Sequence, residues 1–187
     1  RQAWSQLLGV PLTETAWIRG CLPLREGGAS FGAVGPRAPA SFLCAWSRTW
    51  GYVARHIGVN TGTEVLNADR GLAAELESAA AALRPYIPNL FAIPWEGGQA
   101  PTKEYRQGSL LQHVFRHTGG TLLAQMSSSV TSQARFRSCG GSGAGGFLLA
   151  PSDDSVWMTD LQFKTAIVRR LGGRLRQSDG EPAPFCQ

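Results

Sequence analysis

Between Ala38 and Ile57 the apolar and aromatic residues advance in steps of three and four: Ala38, Phe42, Trp46, Thr49/Trp50, Val53, Ile57. That spacing collects them on one face of an α-helix and is incompatible with the two-residue alternation of a strand. Pro36 opens the stretch, Pro39 suits a first helical turn, and Gly58 suits a stop. The pattern predicts one amphipathic helix over 36–57 that buries Phe42, Trp46 and Trp50. Another helix is expected after Asp69, a capping residue, with the stripe Leu72, Leu76, Ala79/Ala80 and Leu83. Glu75 and Glu77 lie toward its N-terminal half, Arg84 falls in the last turn, and Pro85 ends it.

The same logic extends along the chain. Pro11 to Arg19 reads as a short helix ending at Gly20, and Lys103 to Ser128 as a longer one interrupted or kinked at Gly119-Gly120. A short helix or turn is expected over Thr131–Arg137, followed by the Gly-rich loop and the apolar run Phe147–Ala150. Thr159 and Gln162 form a T-x-x-Q capping box ahead of Phe163, Ile167 and Leu171, and Gly172-Gly173 stops that helix. Pro85, Pro88, Pro94, Gly97, Gly98 and Pro101 make residues 85–102 the natural boundary. No strand-period alternation survives beyond about five residues. The expected class is mainly α: a helical bundle over 1–84, a Pro/Gly linker over 85–102, and a second small helical section over 103–187 carrying the Gly-rich loop.

At 187 residues the chain can bury a real core as one domain or two small ones. Arg, Glu and Gly interrupt every apolar run well short of the roughly 18 residues of a membrane span, so no membrane partner is expected. The chain opens on Arg1 and closes on Phe185-Cys186-Gln187, and reads as a segment of something longer. Cys21, Cys44, Cys139 and Cys186 follow no zinc or disulfide spacing. They suit reduced thiols in an intracellular protein of the nucleus or cytoplasm.

Gly141, Gly143 and Gly146 satisfy G-x-G-x-x-G, but a dinucleotide site needs a strand before the loop and an acid about 20 residues on. Gln133–Ser138 does not read as a strand, and the region near 166 has no acid. No G-K-[ST] follows, and Ala144 stands where a nucleophile elbow needs glycine. The loop therefore reads as a tight bend between packed helices. His113 and His117, at i and i+4, share a helical face, but Val114 stands where a zinc protease carries glutamate. Asp153-Asp154 lie in a Pro/Ser/Asp turn and read as a solvated turn. Nothing assembles a catalytic set, and no cofactor is called for.

The cations are better organised. The net charge is +5, and all the basic residues except Lys103 and Lys164 are arginine. Lys103, Arg106, Arg116, Arg135 and Arg137 face Glu104 alone, while Lys164, Arg169, Arg170, Arg174 and Arg176 stand in an acid-free run. With Ile167 pointing to the core, Arg169 faces outward, and Lys164 and Arg170 flank the stripe with their stems over apolar surface. These ten residues are the candidate contacts to nucleic-acid phosphates, set against the plainer reading of a solvated face.

Two segments carry a family resemblance. Leu22-Pro23-Leu24-Arg25-Glu26-Gly27-Gly28-Ala29-Ser30-Phe31-Gly32, followed by Ala38-Pro39-Ala40-Ser41-Phe42, resembles the "LP-x-x-x-GG-x-G" turn and "AP-A-x-(aromatic)" helix of non-LTR-retrotransposon-type reverse transcriptases. Gln133-Ala-Arg-Phe-Arg-Ser-Cys-Gly-Gly-Ser-Gly-Ala-Gly-Gly146, Ala150-Pro151 and Asp160-Leu-Gln-Phe-Lys-Thr-Ala-Ile-Val-Arg-Arg-Leu-Gly172 resemble a turn and a "D-x-x-F-x-x-A-(x)-x-RLG" helix downstream of that family's thumb. The resemblance covers roughly 11–57 and 130–187, and the middle matches poorly. It implies a thumb-plus-linker segment. Cys186 would be the first ligand of a zinc knuckle whose remaining ligands fall outside the sequence. The family's Tyr-x-Asp-Asp is absent, since Tyr52, Tyr86 and Tyr105 are followed by no paired acids. The expected role is therefore gripping a template or primer backbone, RNA or DNA, without chemistry in this segment. The alternatives are a helical protein–protein interaction module and, behind it, a nucleotide-binding enzyme using Gly140–Gly146.

Overall fold

A computed structural model of the chain describes residues 1–32, 34–88, 90, 106–141, 143, 145–148 and 158–173. Among them run eight α-helices and no strand: α1 (Gln2–Leu8), α2 (Glu14–Cys21), α3 (Val34–Ile57), α4 (Gly62–Ala68), α5 (Arg70–Leu83), α6 (Gln107–Gln125), α7 (Val130–Ser138) and α8 (Asp160–Arg170). The mainly helical class expected from the periodicity is what is found. Two compact units form, one from Ala33–His117 and the other from Arg1–Gly32 together with Thr118–Gln187. Helices α1 and α2 thus share a unit with α7 and α8. Most of the Pro/Gly stretch lies outside the described residues.

In the unit of Ala33–His117, α3 packs on α4 and α5, and these two pack on each other. Trp46, at 7% exposure, sits in a core with Leu43, Ala54, Val65, Leu66, Leu76, Ala80 and Leu83. Leu110 and Val114 of α6 complete it. Phe42, Trp50 and Val53 are only partly buried against that core, and Ala38 and Ile57 are exposed. The expected stripe therefore turns away from the core at both ends. A long straight helix drifts off a core built from much shorter partners, here α4 and α5. Helix α3 starts at Val34, which moves Pro39 beyond the first turn. The hydrogen bond the proline removes is to the carbonyl of Gly35, an exposed residue that water can satisfy.

Local signals set the other boundaries. The Asp69 carboxylate accepts from the Leu72 amide at 3.0 Å and opens α5, whose buried face is Leu76, Ala79, Ala80 and Leu83. Thr61 and Glu64 form a complete capping box at the start of α4. Helix α6 runs uninterrupted through Gly119-Gly120. Two glycines cost about 2 kcal/mol relative to alanine, and burial of Leu110, Val114, Phe115 and Leu122 on the same helix outweighs that.

The second unit begins with α1 and with α2, capped by Thr13, whose hydroxyl accepts from the Ala16 amide. Helix α1 packs on α8, and Trp4 stacks on Phe31 with ring centroids 4.0 Å apart. Helix α8 opens on the expected Thr159–Gln162 capping box and buries Ile167, Val168 and Leu171. After α2 the chain turns through a short 3-10 segment, Leu24–Glu26. Gly27 there adopts φ +80, where a side chain would be strained, and a Cβ on Gly28 would run into the Leu22 carbonyl oxygen.

Candidate nucleic-acid interface

The ten candidate phosphate contacts divide sharply once placed. Arg106, at the start of α6, and Arg116 are exposed in the unit of Ala33–His117. Arg135 and Arg137, in the last turn of α7, and Arg169 of α8 are exposed in the other unit, where Lys164 is half-buried. Lys103, Arg174 and Arg176 lie outside the described residues, as do Cys186, Asp153 and Asp154.

Arg170 corrects the expectation. It is 4% exposed, its Nε donates to the Gly28 carbonyl oxygen at 2.5 Å, and its Nη2 donates to that of Leu24 at 2.8 Å. The flank of a helical stripe is ambiguous, since a long side chain there can reach solvent or fold inward. Here the Gly28 and Leu24 carbonyl oxygens draw the guanidinium inward, the latter also accepting from the Gly27 amide, and the rigid fork reaches both. Arg170 therefore holds the protein's own backbone and not a phosphate.

A second buried arginine was not among the candidates. Arg19 of α2, 2% exposed, donates from Nε to the Gly27 carbonyl oxygen at 3.5 Å. Its guanidinium lies 4.8 Å from the centre of the Phe136 ring. Burial pulls its pKa below the usual arginine value, the neighbouring Cys139 sulfur works in the opposite direction, and Arg170 adds repulsion. Arg170 is shifted downward by burial as well. The sequence signal for Arg19 is its place among Trp17, Ile18 and Cys21, on a helix too apolar to leave every flank in water.

The Gly-rich segment packs on the same turn. The Gly141 amide donates to the Arg25 carbonyl oxygen at 3.1 Å, and a Cβ on Gly140 or Gly145 would collide with Arg25 or Leu24. Helix α7 runs to Ser138, so a helix and not a strand enters the loop. A dinucleotide cradle needs the strand, and it needs amides free to face phosphate. Gly140, Gly141 and Gly145 pack instead on the Leu24–Gly28 turn.

His113 and His117 are both exposed, and the His117 ring meets Tyr86 edge-on at 5.4 Å. Among the described residues no group of His, Cys, Asp or Glu is gathered to hold a metal ion, and no helix is long and apolar enough to cross a membrane.

One surface was missed by reading charge clusters alone. On α3, Arg48, Tyr52, Arg55 and His56 are all exposed, Tyr52 by 70%. The Tyr52 and His56 rings lie nearly parallel, 5° apart in plane and 6.5 Å between centroids. With Arg55 they line an open depression of about 330 Å³. No acidic residue occurs between Glu26 and Glu64, nor between Glu104 and Asp153. Helices α3, α6 and α7 are therefore wholly free of carboxylates. The available signal was this absence of acids, not a density of bases.

No family model, curated protein or solved structure matches the chain.

Proposed function

We propose that the chain is a non-catalytic helical segment of a reverse-transcriptase-like mobile-element protein that holds the backbone of its nucleic acid. The observation carrying this reading is the set of exposed arginines on carboxylate-free helices: Arg48 and Arg55 on α3, Arg116 on α6, Arg135 and Arg137 on α7. A solvated face built only for solubility normally mixes both signs. Arginines without neighbouring acids keep their full charge for phosphate, which they meet through a planar fork and without reading bases. An RNA or DNA partner and a nuclear or cytoplasmic setting belong to the same proposal.

The family part of the reading draws support from how the resembling segments meet. The Leu22–Gly28 turn, the Arg135–Gly141 stretch and the Arg170-Leu171-Gly172 helix end pack together through Arg170, Gly140 and Gly141. Residues spaced far apart in sequence thus form one mutually dependent turn. The test is binding of a fluorescein-labelled duplex to the purified chain, followed by anisotropy at several salt concentrations. The reading expects weak, sequence-indifferent binding that falls steeply as salt rises.

A further inference from the structure

We propose that the Tyr52–His56 face of α3 is a stacking platform for a base of single-stranded nucleic acid. This rests on the nucleic-acid reading above and assigns it a strand type. Tyr52 projects a large aromatic ring into water, and the His56 ring lies parallel to it. A planar pair with an open depression beside it suits a flat, polarisable ligand. Arg48, Tyr52 and His56 follow one another at intervals of four, which places them about 6 Å apart along the same helical face. A cation thus stands one turn before the rings, and Arg55, whose Nε donates to the Gly51 carbonyl oxygen, stands beside them. Cations flanking an exposed aromatic are the two components that bind single strands without sequence preference, one for the phosphates and one for the base faces.

The shape selects the single strand. In a duplex each base face is covered by its neighbours, so a ring standing out from a convex helix finds only phosphate and sugar. In a single strand the face is open. A protein partner would need a broader apolar patch, and around Tyr52 the exposed residues of α3 are chiefly Arg48, Thr49, Arg55 and His56.

The experiment measures anisotropy of three labelled probes at low salt: an oligothymidine of about twelve nucleotides, an abasic strand of the same length, and a duplex of the same length. Wild-type chain is compared with Tyr52→Ala, Tyr52→Phe and the double variant Arg135→Ala/Arg137→Ala. Tyr52→Ala should weaken oligothymidine binding by on the order of tenfold, leave the abasic strand and duplex within about twofold, and abolish the preference for oligothymidine over the abasic strand. Tyr52→Phe should retain that preference, whereas the double arginine variant should lose affinity for every probe. Equal affinity of wild type and Tyr52→Ala for oligothymidine overturns the platform, as does an equal loss on all three probes. Wild-type chain that binds none of the probes overturns the nucleic-acid reading and the platform together.

Discussion

Arg170 and Gly28 stand 142 positions apart in the chain, yet the guanidinium of the first donates to the carbonyl of the second. With its second bond to Leu24, the side chain ties the C-terminal end of α8 to the turn after α2. Replacing Arg170 by Met keeps the stem, takes the guanidinium donor from the Gly28 carbonyl and leaves that of Leu24 with the Gly27 amide. The expected loss is about 1–3 kcal/mol in urea unfolding for the Gly28 carbonyl left without that donor. Arg170→Lys should recover only part of it, because an ammonium cannot fork across both oxygens. A loss of nucleic-acid affinity with unchanged stability would contradict this assignment.

Trp46 supplies the clearest packing test. It is buried among Leu43, Leu66, Leu76 and Leu83, so Trp46→Ala should cost about 3–5 kcal/mol. Tyr52→Ala, six residues further on the same helix but on its open side, should stay within about 0.5 kcal/mol. Denaturant midpoints for the two variants measure the difference.

Gly28 and Gly143 separate close approach from backbone conformation. Gly28→Ala drives a Cβ against the backbone of Leu22, which cannot yield as a side chain could. Gly143 adopts φ +79 with open space around it, so Gly143→Val pays only the left-handed penalty, about 1–2 kcal/mol. Gly28→Ala should therefore unfold at the lower temperature of the two. Neither variant should respond to ATP or NAD. A rise in melting temperature of wild type with millimolar nucleotide, lost in a folded Gly143→Val, would reverse the reading of the loop as a bend.

Glu64 gives a pH dependence of defined sign. The amides of Asn60 and Thr61, with the Thr61 side chain, hold its carboxylate below the ordinary glutamate value of 4.5. A depressed folded-state pKa stabilises the ionised fold, so the contribution is fully present above 4.5 and fades as pH falls through the lower folded value. The stability gap between wild type and Glu64→Ala should be constant near neutrality and narrow only in acid, as read from unfolding curves across that range.

What the sequence made legible was local. The α5 stripe with its Asp69 cap, and the Thr159–Gln162 box of α8, depend on neighbours within one helical turn, where spacing alone carries the information. The ends of α3 and the uninterrupted course of α6 depend on which partners pack where, and propensity yields to that packing. Arg170 was unreadable as a buried residue because its partners are backbone carbonyls, which every sequence possesses and no motif marks. Tyr52 escaped because a single exposed aromatic contributes nothing to a charge count. Its setting emerges only when α3 shows which side faces the core.

The central claim is that exposed arginines on acid-free helices hold phosphate, and the salt dependence of duplex binding tests it most directly. The logarithm of the association constant should fall linearly with the logarithm of salt concentration. The slope for Arg135→Ala/Arg137→Ala should be shallower than wild type by about 0.9 for each phosphate contact removed. An affinity indifferent to salt, or no binding at the lowest salt, would contradict the account.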